Sequence, residues 1–463
     1  MANYYVDVSK ASDGDGSSFN AWNNFLSHRS TPAAGDTVWY IGTGDVNAPA
    51  VVTEKITIDN ALGHASGSSG SPIYIKPVGG QYVKFNNTSS GNEPWRFNGV
   101  AWWIFDGGTL RGFEIDCLER TSSGYAFRTE NGNNIQLKNS RIHNGKYFTL
   151  VHFEQTQDFV VDKCDVWDNF IGPGSDAAGV SFRPIGGTCS GGAIRNCTMW
   201  DHGSDCIVNL HTTGETTWLW NNVIIEDNHL YTTLGAGSEQ AIDLKCSSGA
   251  ICRRNLIHGF RYNDGSESGS GGGGVAGIIS HTYSTGTRVS TNVFYDMSGA
   301  AVAMTSSNGI VDRNVCYGGV YENPSGYSAN DRAWFRFYSS GGSSHVFYNN
   351  TINGRFAGQG HVVSIGASVT VTAKNNIFYE TGTIYLRTGS VFTASYNCWW
   401  NCAQTSVGTG DVNADPLFVN VAGNDYSLQS TSPCRNTASI ISPYTDGYLE
   451  SGPDMGFEEY DPD

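Results

Sequence analysis

Between Asp176 and Lys245 the chain brings together residue types that can hold a hard cation beside a base. Asp176, Asp201 and Asp205 offer carboxylate oxygens, the ligands that calcium prefers, and Lys245 offers an amine. Three short apolar runs follow one another here: Val180-Ser181-Phe182-Arg183, then Asp205-Cys206-Ile207-Val208-Asn209-Leu210-His211, then Ala241-Ile242-Asp243-Leu244-Lys245-Cys246. In a strand, successive side chains point to opposite faces. Alternation predicts Cys206, Val208 and Leu210 inward with Asp205, Asn209 and His211 outward. By the same rule Ile242, Leu244 and Cys246 go inward, and Asp243 and Lys245 outward. Stacked in parallel, such strands would gather the acids, the lysine and Arg183 in one exposed patch.

That patch suits removal of a weakly acidic proton beside a carboxylate. A bound cation neutralises the carboxylate, and a lysine among cationic groups gives up its own proton more readily. Arg183, Arg254 and Arg261, with His211, are candidates for binding substrate carboxylates, which the planar guanidinium pairs bidentately.

The elements that must position these residues are legible in a repeat. Asparagine followed by alternating apolar and polar residues recurs at Asn139, Asn196, Asn228, Asn255, Asn292, Asn314, Asn350, Asn376 and Asn397, with Lys163-Cys164-Asp165-Val166 as a variant. Steps such as those from 139 to 164 and from 376 to 397 are too short for a strand, a helix and a return. They fit coils of short strands that bury their inward faces by stacking. The expected fold is all-β, a right-handed parallel β-helix. A turn asparagine can bond adjacent turns and tolerates the left-handed conformation of a sharp corner.

The expected organisation is one continuous domain: an N-terminal cap and first strands over 1–45, coils over 46–430, and a C-terminal cap and tail over 431–463. Helical spacing in Phe19–Leu26 predicts a short helix in the N-terminal cap. A Gly/Ser run from Gly265 to Gly274 reads as a surface loop on one coil.

Composition agrees, since 58 glycines, 12% aromatic and 15% charged residues describe a turn-rich, strand-rich chain. A net charge of −16 argues against non-specific nucleic-acid binding, which needs a basic surface. No apolar run is long enough to span a bilayer as a helix, so no membrane partner is expected. The expected setting is extracellular, either as a secreted protein whose leader is not in this sequence or as a virion component, and a monomer. Of the 11 cysteines, Cys164, Cys197, Cys206, Cys246 and Cys316 read as core thiols, with Cys398/Cys402 and Cys246/Cys252 as candidate local disulfides.

The spacing of Asp176, Asp201 and Asp205, followed about one coil later by Lys245, resembles polysaccharide lyase family nine, the calcium-dependent pectate lyases. The resemblance implies bound Ca2+, Lys245 as base, and an acidic, uronate-containing polysaccharide cleaved by β-elimination. It departs where that family carries adjacent aspartates, because this chain has Asp201-His202; His202 or Glu239 is then the candidate to complete the site. Glu239, Lys245, Ser247-Ser248 and Arg254-Asn255 are also similar to family six, the alginate and chondroitin lyases. Three other readings fit the same solenoid. A glycoside hydrolase or tailspike-type depolymerase would use a carboxylate pair from Asp201, Asp205, Glu239 and Asp243. A uronan epimerase would replace the removed proton on the other face, and a non-catalytic carbohydrate-binding solenoid would use platforms such as Trp399 and Trp400.

Overall fold

A computed structural model describes residues 1–86, 93–117, 124–145, 149–169, 177–211, 216–233, 238–261, 275–319, 333–338, 342–354, 361–403 and 408–461. Asp176 and the Gly265–Gly274 run lie outside these residues. The chain divides into two units, Met1–Leu230 and Tyr231–Asp463. In both, successive coils add one strand each to three parallel sheets, named I, II and III in the order a coil visits them. The fold is the expected right-handed parallel β-helix.

In the first unit, sheet I includes Trp95–Asn98, Phe127–Glu130, Thr149–Glu154, Ala178–Arg183 and Ile207–Asn209. In the second it includes Gln240–Leu244, Ala276–Ser280, Ala300–Met304 and Ala333–Phe337. In-register pairing stacks like on like: Val151 faces Val180, and Val180 faces Ile207. In the second unit Ile242, Ile278, Val302 and Phe335 form one inward column. Each apolar side chain buried this way contributes about 1.5–3 kcal/mol.

The corner between sheets II and III explains the repeat. Its first residue takes a left-handed conformation: Asn139 (φ 48°), Lys163 (56°), Asn196 (54°), Arg254 (53°) and Thr291 (55°) all do so. The next residue turns inward and bonds the neighbouring coils. In the second unit that residue is asparagine: Asn314 Oδ1 accepts from the backbone N and the Nδ2 of Asn292, both at 3.0 Å. Asn350, Asn376 and Asn397 continue the ladder, and Asp411 closes it at 2.9 Å from Asn397 N. Earlier in the chain the motif is offset by one. Asn139 and Asn196 are themselves the left-handed residues, and Ser140, Cys164 and Cys197 take the ladder position, with the Cys164 amide donating to Cys197 Sγ at 3.4 Å.

The N-terminal segment departs from expectation, because Phe19–Leu26 is not a helix. Trp22 instead bridges Val6 and stacks on Tyr4 at 4.8 Å and on His28 at 4.4 Å. The Asn24 side chain accepts from Ser27 N at 2.9 Å, the local bonding by which asparagine competes with a helix. Towards the C-terminus, Phe418, Tyr426, Leu428, Cys434 and Met455 pack with Val315, Ile377 and Cys398. Those last three stand on the outer face of sheet III, alternating with the inward Cys316, Phe378 and Trp399. The proposed disulfides are absent: Cys246, Cys252, Cys398 and Cys402 are free thiols. Cys402 Sγ instead donates to the carbonyls of Phe378 and Trp400, at 3.1 and 3.2 Å.

Candidate active site

Lys245 stands one residue past the strand Gln240–Leu244, and its neighbours fix it there. His281 N donates to Leu244 O at 2.8 Å, which carries the ladder past the strand ends. Ser284 Oγ then bonds Leu244 O at 3.0 Å and accepts from Ser247 N at 2.9 Å, clamping the corner on both sides of Lys245. With Ile242, Leu244 and Cys246 buried, Asp243 and Lys245 face outward as alternation requires.

Asp243 departs from expectation in one respect: it is only 2% exposed. Its outward neighbours Ile279 and Ala303 are buried as well, in a cluster with Ala276 and Ala300. Alternation assigns a face, but not what covers it. Asp243 Oδ2 lies 2.8 Å from Lys245 Nζ, and Oδ1 lies 3.1 Å from His281 Nε2. Burial alone would push the Asp243 carboxyl up, yet His281 and Lys245 outweigh it and hold it below the usual carboxylate range. About a third of each partner's side chain is exposed, 34% for Lys245 and 30% for His281. His281 was missed in the sequence. Its signal was positional, since Ile278-Ile279-Ser280-His281 repeats the frame of Ile242-Asp243-Leu244-Lys245.

In the first unit the second strand is shorter than expected and its alternation is reversed. Val180 pairs with Ile207 and Phe182 with Asn209, so Ile207 and Asn209 face inward and Val208 outward. Asp205 and Cys206 belong to the preceding corner, which shifts the phase. Asp205 is 3% exposed, and its Oδ2 accepts from Ser204 Oγ at 2.9 Å. Asp201 is half-buried at a left-handed position, φ 57°, within the strand Thr198–His202. His202 is 1% exposed, and burial pushes its imidazole down to about 3. Its ring lies so close to Gly179 that a Cβ there would meet Nε2 at 2.6 Å. His202 is therefore packed into the wall beside Gly179, with its imidazole neutral. The donor set left by Asp201 and Asp205, with Asp176 outside the described residues, is all carboxylate oxygen, which fits a hard cation.

Arg183 belongs to a separate ionic network on the outer face of sheet I. Its guanidinium lies 2.7 Å from Glu154, which also holds Arg128 at 3.6 Å and His152 Nε2 at 3.4 Å. Arg128 reaches Glu130 at 2.6 Å and Glu93 at 3.4 Å, and Arg96 pairs with Glu130 at 2.5 Å. The His152 hydrogen bond, with Arg183 behind it, pulls Glu154 down to about 2 against the cost of burial. Arg254 is the left-handed residue at the far end of Ile251–Arg253 from Lys245, and Arg261 pairs with Asp296. His211 lies just beyond Ile207–Asn209 and is half-buried.

Glu114, Asp116 and His143 also converge, on sheet III. Lys84 lies 2.5 Å from Asp116 and 3.3 Å from Glu114, and Arg141 lies 2.9 Å from Glu114. Two cations already neutralise the two acids, so this cluster is an ion-pair network. Trp399 is no sugar platform: it is 2% exposed, stacked on Phe378 at 4.2 Å, with Nε1 on Asp411 at 3.1 Å.

No protein-family model and no curated protein matches the chain. Solved structures do. The chain is similar to PfbA, a surface adhesin of Streptococcus pneumoniae, at a TM-score of 0.55 and 12% identity over 86% of this chain and 90% of that one. It is also similar to pectate lyase Pel9A, at a TM-score of 0.46 and 18% identity over 100% of this chain and 97% of that one. XylC in complex with xylose matches at 0.48 and 12%, over 90% and 87%. At these identities the first likeness shows a shared fold and nothing of activity.

Proposed function

We propose that this protein is a calcium-dependent lyase of an acidic polysaccharide, using Lys245 as the base of a β-elimination. The observation that supports it best is the amine itself. Lys245 projects outward from a clamped corner, partly exposed, 2.8 Å from a buried carboxylate that fixes its direction. A base must be aimed before it can be fast, and rigid support of this kind keeps a reacting atom in place. Asp176, Asp201 and Asp205 would hold the calcium ion, which when bound would neutralise the uronate carboxylate and acidify the proton beside it. Arg183, Arg254, Arg261 and His211 are the candidates for the remaining substrate charges. In this reading the protein works outside the cell on a uronate-containing polymer.

Replacing Lys245 with methionine keeps the aliphatic stem and removes the amine. Turnover should fall by about a hundred- to ten-thousand-fold while the melting curve stays in place. A Lys245→Met protein that cleaves at the normal rate would show that the base lies elsewhere.

A further inference from the structure

We propose that His281 is the acid of the same reaction, giving a proton to the departing oxygen, and that Asp243 holds it beside Lys245. This rests on the lyase reading and adds the group that reading lacks. Elimination needs a donor for the leaving group as well as a base. The structure places two titratable side chains at equivalent positions of neighbouring coils, each one residue past its strand, and ties both to one carboxylate. Adjacent strands stand about 4.8 Å apart, so both groups can serve the two ends of a single carbon–carbon bond with its substituents.

The cycle balances. Lys245 Nζ takes the proton from the carbon beside the carboxylate, and the electron pair of that bond forms the new double bond. The bond to the leaving oxygen breaks with its own pair going to that oxygen, which takes a proton from the His281 imidazolium. Lys245 is then an ammonium and His281 a neutral imidazole. Exchange with solvent restores both, since about a third of each side chain is exposed: the ammonium gives a proton to water and the imidazole takes one, while the carboxylate holds the two groups at 2.8 and 3.1 Å.

The test uses two kinds of substrate: polygalacturonate, alginate and glucuronan as polymers, and a small uronate whose leaving group is a nitrophenolate, which departs without a proton. His281→Gln should slow polymer cleavage by about a hundredfold or more, yet release nitrophenolate within about tenfold of wild type. Lys245→Met should lose both activities. His281→Asn replaces the glutamine variant if that one melts early, with the same expectations. Equal slowing on both kinds of substrate, or no slowing on polymer, would overturn the assignment of His281. A wild-type protein that forms no unsaturated product from any polymer would instead remove the lyase reading beneath it.

Discussion

Two clusters on the outer faces of sheet I, one in each unit, are built from acids, cations and a histidine and differ in how deeply the carboxylate is buried, Glu154 being 15% exposed and Asp243 2%. Around Glu154, three arginines and three glutamates interlock: Arg96, Arg128 and Arg183 are shared among Glu93, Glu130 and Glu154. Around Asp243 a single buried carboxylate serves one amine and one imidazole. In the first, every charge is met by its neighbours, and His152 is itself fully buried, stacked on Tyr125 at 4.4 Å and bonded to Ser181 at 2.6 Å. In the second, the carboxylate is almost fully buried, 2% exposed, and lies between an amine and an imidazole. The first network ties four neighbouring strands together, whereas the second holds an amine and an imidazole side by side at one corner. In the proposed reading the first cluster is structural and the second chemical, although the first has more titratable residues.

Substitutions should divide the same way. Asp243→Asn removes the charge that aims Lys245 and should lower turnover by roughly a hundredfold with little change in melting temperature, measured on one preparation. If melting falls and turnover per folded molecule does not, the two clusters are alike and the contrast fails. Glu154→Gln should act mainly on stability, costing about 2 kcal/mol in urea unfolding. Its pH dependence sharpens the point. Glu154 titrates near 2 in the folded state against an ordinary 4.5, so its contribution is complete above about 4.5 and is lost as pH falls towards 2. The stability gap between wild type and Glu154→Gln should therefore shrink over that window, and a gap that stays constant would contradict the network. The smallest effect is expected at Asp205→Asn. It should raise the calcium needed for half-maximal activity several-fold and leave the fold unchanged, as read from a calcium titration; an unchanged requirement would take Asp205 out of the cation site.

How much of this was legible in the sequence depended on whether one residue type serves one purpose. In the second unit the repeated asparagine marks the ladder position, and Asn255, Asn292, Asn314, Asn350, Asn376 and Asn397 could be read directly. Earlier, at Asn139 and Asn196, asparagine serves the left-handed corner instead, since it tolerates that conformation too, and these gave the right coils one residue out of step, whereas Asn228 of the first unit already stands on the ladder. Alternation placed Lys245 on the correct face because the strand before it runs without interruption from Gln240 to Leu244. It misplaced Val208 and Asn209 because the corner holding Asp205 and Cys206 looks apolar enough to be strand. The burial of Asp243, and with it the contact to His281, was out of reach. Burial depends on what lies over a face, and a coil's partner thirty-odd residues away is found only when the register is known.

The most direct test of the central claim is the identity of the product. Pectate, alginate, glucuronan and glycosaminoglycans are incubated with the wild-type protein, with and without chelator, while ultraviolet absorbance is followed. The account predicts that at least one polymer yields an unsaturated, absorbing uronate end, that chelator stops its formation, and that added calcium restores it. Saturated reducing ends, formed equally well in chelator, would contradict it and place the protein among hydrolases.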